Sequence, residues 1–284
     1  MLTSATIDVG GGVDLEIVEA GAGTTTLVVA PGFGGGIDSY VAFIEQLAHE
    51  YHVVGVSPRG FGRSGWAPPY AIGDWVDDLL GVVRHRTERP VVAVGHSFGA
   101  TLALAAAAGE PSRFRGVISL DGNVEVSVFL SFSRQLIGYW QQVRLAVIAA
   151  AGDPDMLAAR LSEVIVADSR LGDTTSADEL HRVATIWSGQ DPDVVESVTD
   201  ERFDEWANDP ALDDLPRRVQ CPVFCVNGDP DAGSIVSTAQ GVRDLAVYPG
   251  SAQVRLDGTD HRLGLDETPA RVVDAMRSFL TGLK

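Results

Sequence analysis

The chain has 284 residues, is 45% hydrophobic and carries a formal net charge of −18. That charge argues against nucleic acid or an anionic membrane surface as partner, because both would be repelled. The composition is that of a globular protein rather than a disordered one, and no uncharged apolar run approaches the roughly 18 residues of a membrane span.

Residues 1–23 read as two strands joined at Gly10-Gly11-Gly12, a hairpin that starts a sheet at its edge. Met1-Leu2-Thr3-Ser4 lacks the basic start and apolar core of a secretion signal, so a cytoplasmic location is expected. From 24 to 121, apolar strands alternate with helices, the pattern of a mostly parallel sheet with helices on both faces. One strand, Thr26–Ala30, runs into Pro31-Gly32-Phe33-Gly34. A later one runs into Ser57-Pro58-Arg59-Gly60-Phe61-Gly62-Arg63-Ser64. The stretch from Gly60 to Gly65 matches G-x-G-x-x-G, but Trp66-Ala67-Pro68-Pro69 follows where a dinucleotide site needs a helix. Gly32 to Gly36 is equally glycine-rich and has no Lys-Ser/Thr ending. Neither reads as a nucleotide site.

The most informative stretch is Gly95-His96-Ser97-Phe98-Gly99, a G-x-S-x-G pattern between an apolar strand at 91–94 and a small-residue helix at 100–108. A Ser at such a turn is held strained with its hydroxyl exposed. A Cβ at Gly95 or Gly99 would clash with the neighbouring strand or helix. The following helix aims its N-terminal N–H groups at the place where an oxyanion would form. Ser97 is therefore the candidate nucleophile.

Residues 124–216 break the strand–helix alternation. They show helical apolar spacing (Phe129, Phe132, Leu136, Tyr139, Trp140, Val143) and no convincing strand. The expected organisation is a core at 1–123, a helical cap at 124–216 lying above Ser97, and the rest of the core at 217–284. Within that cap Phe132 and Trp140 are candidate substrate contacts, weighed against a role in packing the cap itself. Strand–helix alternation returns from about Cys221 and ends in a helix over 269–283. Cys221 and Cys225 are placed in one strand, about 13 Å apart, which excludes a disulfide. Their spacing offers no second pair for zinc, so no metal is expected.

The base and acid should follow later strands. His261 lies in a loop just after the apolar segment 253–256, a place that none of the other five histidines shares. Its imidazole suits proton transfer near neutral pH. For the acid, Asp229 and Asp231 share the loop after Val223–Asn227, with Asp231 favoured by spacing. Asp121, at the end of the strand 117–120, is the third choice.

In these motifs, their order and their distances, nearly the whole chain resembles an α/β-hydrolase. The stretch 57–64 resembles the family's D-x-R-G-x-G-x-S turn. The resemblance implies that the backbone N–H groups of Phe33 and Phe98 form the oxyanion hole. Two departures stand out: Pro31 where the family often has His, and Ser57 where it often has Asp. The implied activity is cleavage of an ester, lactone or related acyl compound through an acyl-enzyme on Ser97, without a cofactor. Ser at the elbow argues against the dehalogenase and epoxide hydrolase branches, whose nucleophile is a carboxylate. A carbon–carbon bond hydrolase or cofactor-free perhydrolase uses the same triad, and a non-catalytic small-molecule binder uses the same fold. The expected partner is a neutral or apolar small molecule, with no nucleic acid and no membrane; a homodimer is left open.

Overall fold

Runs of small and β-branched apolar residues, too short for helices and buried on both sides, build the centre of the molecule. The computed structural model describes residues 2–10, 12–166, 168–199, 202–248 and 250–283. Its strands are β1 (Thr3–Asp8), β2 (Asp14–Ala20), β3 (Thr26–Ala30), β4 (His52–Val56), β5 (Val91–His96), β6 (Phe114–Leu120), β7 (Ile165–Val166), β8 (Ser169–Arg170), β9 (Val223–Asn227) and β10 (Ala252–Arg255). Eight of them form one sheet in the order β1-β2-β4-β3-β5-β6-β9-β10. β1 and β2 pair antiparallel, β2 and β4 likewise, and every other pairing in this sheet is parallel. The expected edge pair of strands is therefore present; Gly11, named in the expected joint, lies outside the described residues.

Helices α1 (Val41–Leu47), α2 (Ile72–Arg86) and α3 (Phe98–Gly109) fall in the first half. Between β6 and β9 come α4 (Val126–Gln135), α5 (Ile137–Ala150), α6 (Pro154–Leu161), α7 (Leu171–Thr174), α8 (Ala177–Trp187), α9 (Pro192–Glu196), α10 (Phe203–Ala207) and α11 (Leu215–Arg218). The chain closes with α12 (Thr238–Val247) and α13 (Ala270–Gly282). One core cluster includes Trp75 and Val82 of α2 with Leu102 of α3. A second includes Phe43 of α1 with Met276 and Leu280 of α13. Burying each such side chain contributes about 1.5–3 kcal/mol. A third cluster, with Val143, Leu157 and Ala184, belongs to the inserted helices alone.

Three local expectations change. The helical stripe from Phe129 to Val143 is split at Leu136, whose φ of −93° and ψ of 0° end α4 before α5 begins. The insertion also holds the antiparallel ladder β7–β8, two residues a side and too short to leave a periodic signal. Cys221 stands just outside β9, because Pro222 has no N–H to offer the ladder.

Candidate active site

The parallel strands β5, β6 and β9 lie side by side, so the residues that follow their C-terminal ends share one edge of the sheet. β5 turns into α3 at Ser97, whose φ of 54° and ψ of −120° are strained for a residue with a Cβ. The turn closes this tightly because Gly95 and Gly99 have no side chains. A Cβ on Gly95 would run into the Gly99 carbonyl, and one on Gly99 into the carbonyls of Ala30 and Pro31. The Ser97 N–H donates to the Leu120 carbonyl (2.9 Å), tying the elbow to the end of β6.

His261 Nε2 lies 3.0 Å from Ser97 Oγ, and His261 Nδ1 lies 2.7 Å from Asp121 Oδ2. The carboxylate only accepts, so Nδ1 carries the proton and the Nε2 lone pair faces the Ser97 hydroxyl. The acid is thus a correction to the sequence reading: Asp121 meets His261, and Asp229 and Asp231 do not. Strand order explains it, since β6 adjoins β5 whereas β9 stands one strand further away. Asp229 instead caps its own turn, accepting from the N–H groups of Asp231 (3.0 Å) and Gly258 (2.9 Å). Asp231 is exposed.

The loop after β9 supplies donors in place of an acid. Asp121 Oδ1 accepts from the Gly228 N–H (2.8 Å) and Ser234 Oγ (2.5 Å), and Oδ2 also accepts from the Ile235 N–H (3.1 Å). Burial is the largest influence on this carboxyl and pushes its pKa up. The hydrogen bonds from His261, Ser234 and Gly228 outweigh it and hold the group below the usual carboxylate range. Asp121 also has a positive φ (45°). Non-Gly residues in this region favour Asn and Asp.

Phe98 is the first residue of α3, so its N–H has no acceptor within the helix. The Phe33 N–H makes no hydrogen bond among the described residues. The Phe33 ring is wedged edge-on against Phe61, Phe98, Trp75 and Trp140, at centroid distances of 4.9–6.2 Å, which fixes the loop that carries it. Side-chain hydrogen bonds hold the turn after β4. Ser57 Oγ donates to Glu16 Oε2 (2.9 Å) and accepts from the Ile37 N–H (2.8 Å). Arg59 grips Asp78 of α2 through Nε (3.0 Å) and Nη2 (2.7 Å).

Sequence reasoning overlooked a second set of groups. Tyr40 Oη accepts from the Gly32 N–H (3.0 Å) and lies 2.6 Å from His96 Nδ1; His96 Nε2 lies 2.8 Å from the His261 carbonyl oxygen. The carbonyl requires a proton on Nε2, so Nδ1 accepts from the tyrosine hydroxyl. Burial, followed by the charge on His261, pushes the His96 pKa down to about 3. His96 is therefore neutral. The residue between Gly95 and Ser97 was the one available signal, since a buried imidazole needs partners for both nitrogens.

Above Ser97 lies a cavity of about 410 Å³, lined among others by Phe33, Phe132, Trp140, Trp187 and His261. Both Phe132 and Trp140 are on its wall. At its rim Arg262 Nη1 is 3.0 Å from both Glu179 carboxylate oxygens, and Arg182 is 3.2 Å from Asp266. Among the described residues no cluster of His, Cys, Asp and Glu fits a metal ion, and no helix is long and apolar enough to cross a membrane.

The sequence profile of the alpha/beta hydrolase fold family matches residues 25–164. The chain is 30% identical over 171 residues to lipase LipV of Mycobacterium tuberculosis, covering 59% of this chain and 55% of that one. It is 32% identical over 123 residues to a 2-(acetamidomethylene)succinate hydrolase of Mesorhizobium japonicum, covering 42% of each. The matches thus span about half the length of these curated relatives. Among solved structures, an E-2-(acetamidomethylene)succinate hydrolase superposes with a TM-score of 0.72 at 20% identity, covering 99% of this chain and 100% of the other. An esterase from Thermogutta terrifontis gives 0.71 at 20% identity, covering 99% of both. With its mostly parallel sheet, its strained serine between β5 and α3 and these likenesses, the chain has the α/β-hydrolase fold, and its residues 25–164 match the profile of that fold's family.

Proposed function

We propose that the protein is a serine hydrolase that cleaves an ester or related acyl compound through a covalent acyl-enzyme on Ser97. The observation that carries this reading is the continuous path Ser97 Oγ···Nε2 His261 Nδ1···Oδ2 Asp121, at 3.0 and 2.7 Å. In the first half-reaction Ser97 Oγ attacks the substrate carbonyl carbon while His261 Nε2 takes the hydroxyl proton. Asp121 holds the ring and stabilises the imidazolium without taking its proton. The carbonyl oxygen becomes an anion facing the N–H groups of Phe33 and Phe98, at the positive end of α3. Collapse expels the alcohol, which leaves with the proton from His261. Water then enters, gives a proton to the same nitrogen and attacks the acyl carbon. The acid is released and Ser97 Oγ recovers its proton.

The helices between β6 and β9 act as a cap in this reading, excluding water and shaping the site. The aromatic lining of the cavity supports a neutral or apolar small molecule as substrate. Relatives named as a lipase and as a 2-(acetamidomethylene)succinate hydrolase support hydrolysis and leave the bond cleaved to this protein's own cavity. The test is turnover of 4-nitrophenyl acetate by Ser97→Ala, His261→Ala and the double variant, with folding followed by circular dichroism. Each single variant should lose at least about 10³-fold and the double should be little worse, because the two residues act as one unit. A folded Ser97→Ala protein that keeps most of its turnover contradicts the proposal.

A further inference from the structure

Two cavities of unequal size meet at Ser97 among the described residues. The larger, of about 410 Å³, contains His261 in its wall and extends between Trp187 and the charged rim at Arg262. The smaller, of about 70 Å³, lies past Phe98 and between Phe129, Val198 and Trp206, and His261 does not line it. Phe129 is 6% exposed, Val198 2% and Trp206 3%, so this arm ends against packed core. Ser97, Phe33, Phe132 and Trp140 border both cavities.

The chemistry decides which part of an ester goes where. The leaving oxygen must receive its proton from His261 Nε2, so the alcohol has to lie on the side that His261 lines. That is the large cavity. The acyl chain projects from the same tetrahedral carbon away from the leaving group, and the space there is the small arm behind Phe98. With the carbonyl carbon itself at Ser97, the small arm, about 70 Å³ against about 410 Å³ for the large one, takes only a short acyl chain. The large arm has the size of a drug-like ligand site, and its Trp140 and Trp187 rings stack 5.5 Å apart at 25°, presenting aromatic surface.

Resting on the serine-hydrolase reading, we infer that the natural substrates are short-chain esters, of two to four acyl carbons, of large apolar alcohols. Fatty acyl chains are excluded from the small arm, and the alcohol carries the binding energy.

The test uses two ester series on the purified protein. The first is 4-nitrophenyl acetate, butyrate, hexanoate and octanoate. The second is acetates of ethanol, benzyl alcohol and 2-naphthylmethanol, measured as released acetate. kcat/KM should fall at least about 10-fold from butyrate to octanoate, and rise about 10-fold or more from ethyl to naphthylmethyl acetate, since a few methylenes in or out of a pocket are worth that much. Phe129→Ala should lengthen the arm and raise the octanoate-to-acetate ratio about 10-fold, while Val198→Leu should fill it and lower the butyrate-to-acetate ratio by a similar factor. Trp187→Ala should weaken the response to alcohol size and leave the acyl profile unchanged. Acyl preference that rises to octanoate, or that moves with Trp187 rather than with Phe129 and Val198, overturns the inference while leaving serine hydrolysis standing. Failure of every ester to turn over in the folded wild-type protein sinks the hydrolase reading itself.

Discussion

At the scale of single residues, Asp121 sets the orientation and tautomer of His261. It is fully buried, accepts four hydrogen bonds and is the carboxylate that His261 meets. Asp121→Asn cannot accept from His261 Nδ1–H through its amide nitrogen and favours the wrong imidazole tautomer. Turnover of 4-nitrophenyl acetate should fall by as much as about 10⁴-fold with KM little changed. Asp229→Asn and Asp231→Asn should each stay within a few-fold of wild type, because one caps a turn and the other is exposed. Strong losses in either of those two, with Asp121→Asn mild, contradict the assignment. Ser97 and His261 were legible in the sequence because each sits beside a distinctive local pattern: a glycine-flanked turn, and a loop after an apolar segment. The acid was not. Asp121 and Asp229 both follow apolar strands, and choosing between them needs the spatial order β5-β6-β9, which linear spacing does not encode.

At the scale of elements, the Tyr40–His96 pair fastens three segments to one another: the loop carrying Phe33 through Gly32, the elbow, and the loop carrying His261. Replacing Tyr40 by Phe removes the donor to His96 and the acceptor for Gly32, yet keeps the ring. Steady-state kinetics should show kcat lowered about 10-fold at nearly constant KM, less than the 10²–10³ of losing an oxyanion donor outright. A matching rise in KM with kcat intact would mean the pair shapes substrate binding instead. Elements were read from the sequence with uneven success. β3 coincides with the strand expected at Thr26–Ala30 to the residue, since a buried parallel strand needs no alternation, whereas β9 begins only at Val223 and leaves out Cys221. The helical stripe of 124–216 was visible, but its break at Leu136 and the ladder β7–β8 were not. Both are decided by packing among the inserted helices, whose own core joins residues far apart in sequence.

At the scale of the whole molecule, the fold class followed from strand–helix alternation and the order of the motifs, because a right-handed parallel sheet leaves few ways to connect such elements. The fold also makes stability depend on pH. An unfolded chain protonates a histidine below about pH 6.5, whereas folded His96 stays neutral down to about 3. The unfolded state thus binds more protons across that window, and stability falls as pH falls. Asp121 acts in the same direction: its pKa is depressed on folding, so its contribution is present above about pH 4 and is lost as pH drops through its folded value. Urea unfolding at pH 7 and pH 4.5 should show wild type losing about 2–3 kcal/mol more than His96→Gln over that interval. Parallel losses in the two proteins would remove His96 as the cause. The most direct test of the whole account is peptide mapping by mass spectrometry after reaction with a fluorophosphonate, which captures a nucleophile that is both activated and beside an oxyanion site. The account predicts a single adduct on Ser97, absent from Ser97→Ala and formed far more slowly by Asp121→Asn. An adduct on another residue, or none in the folded wild-type protein, would contradict it.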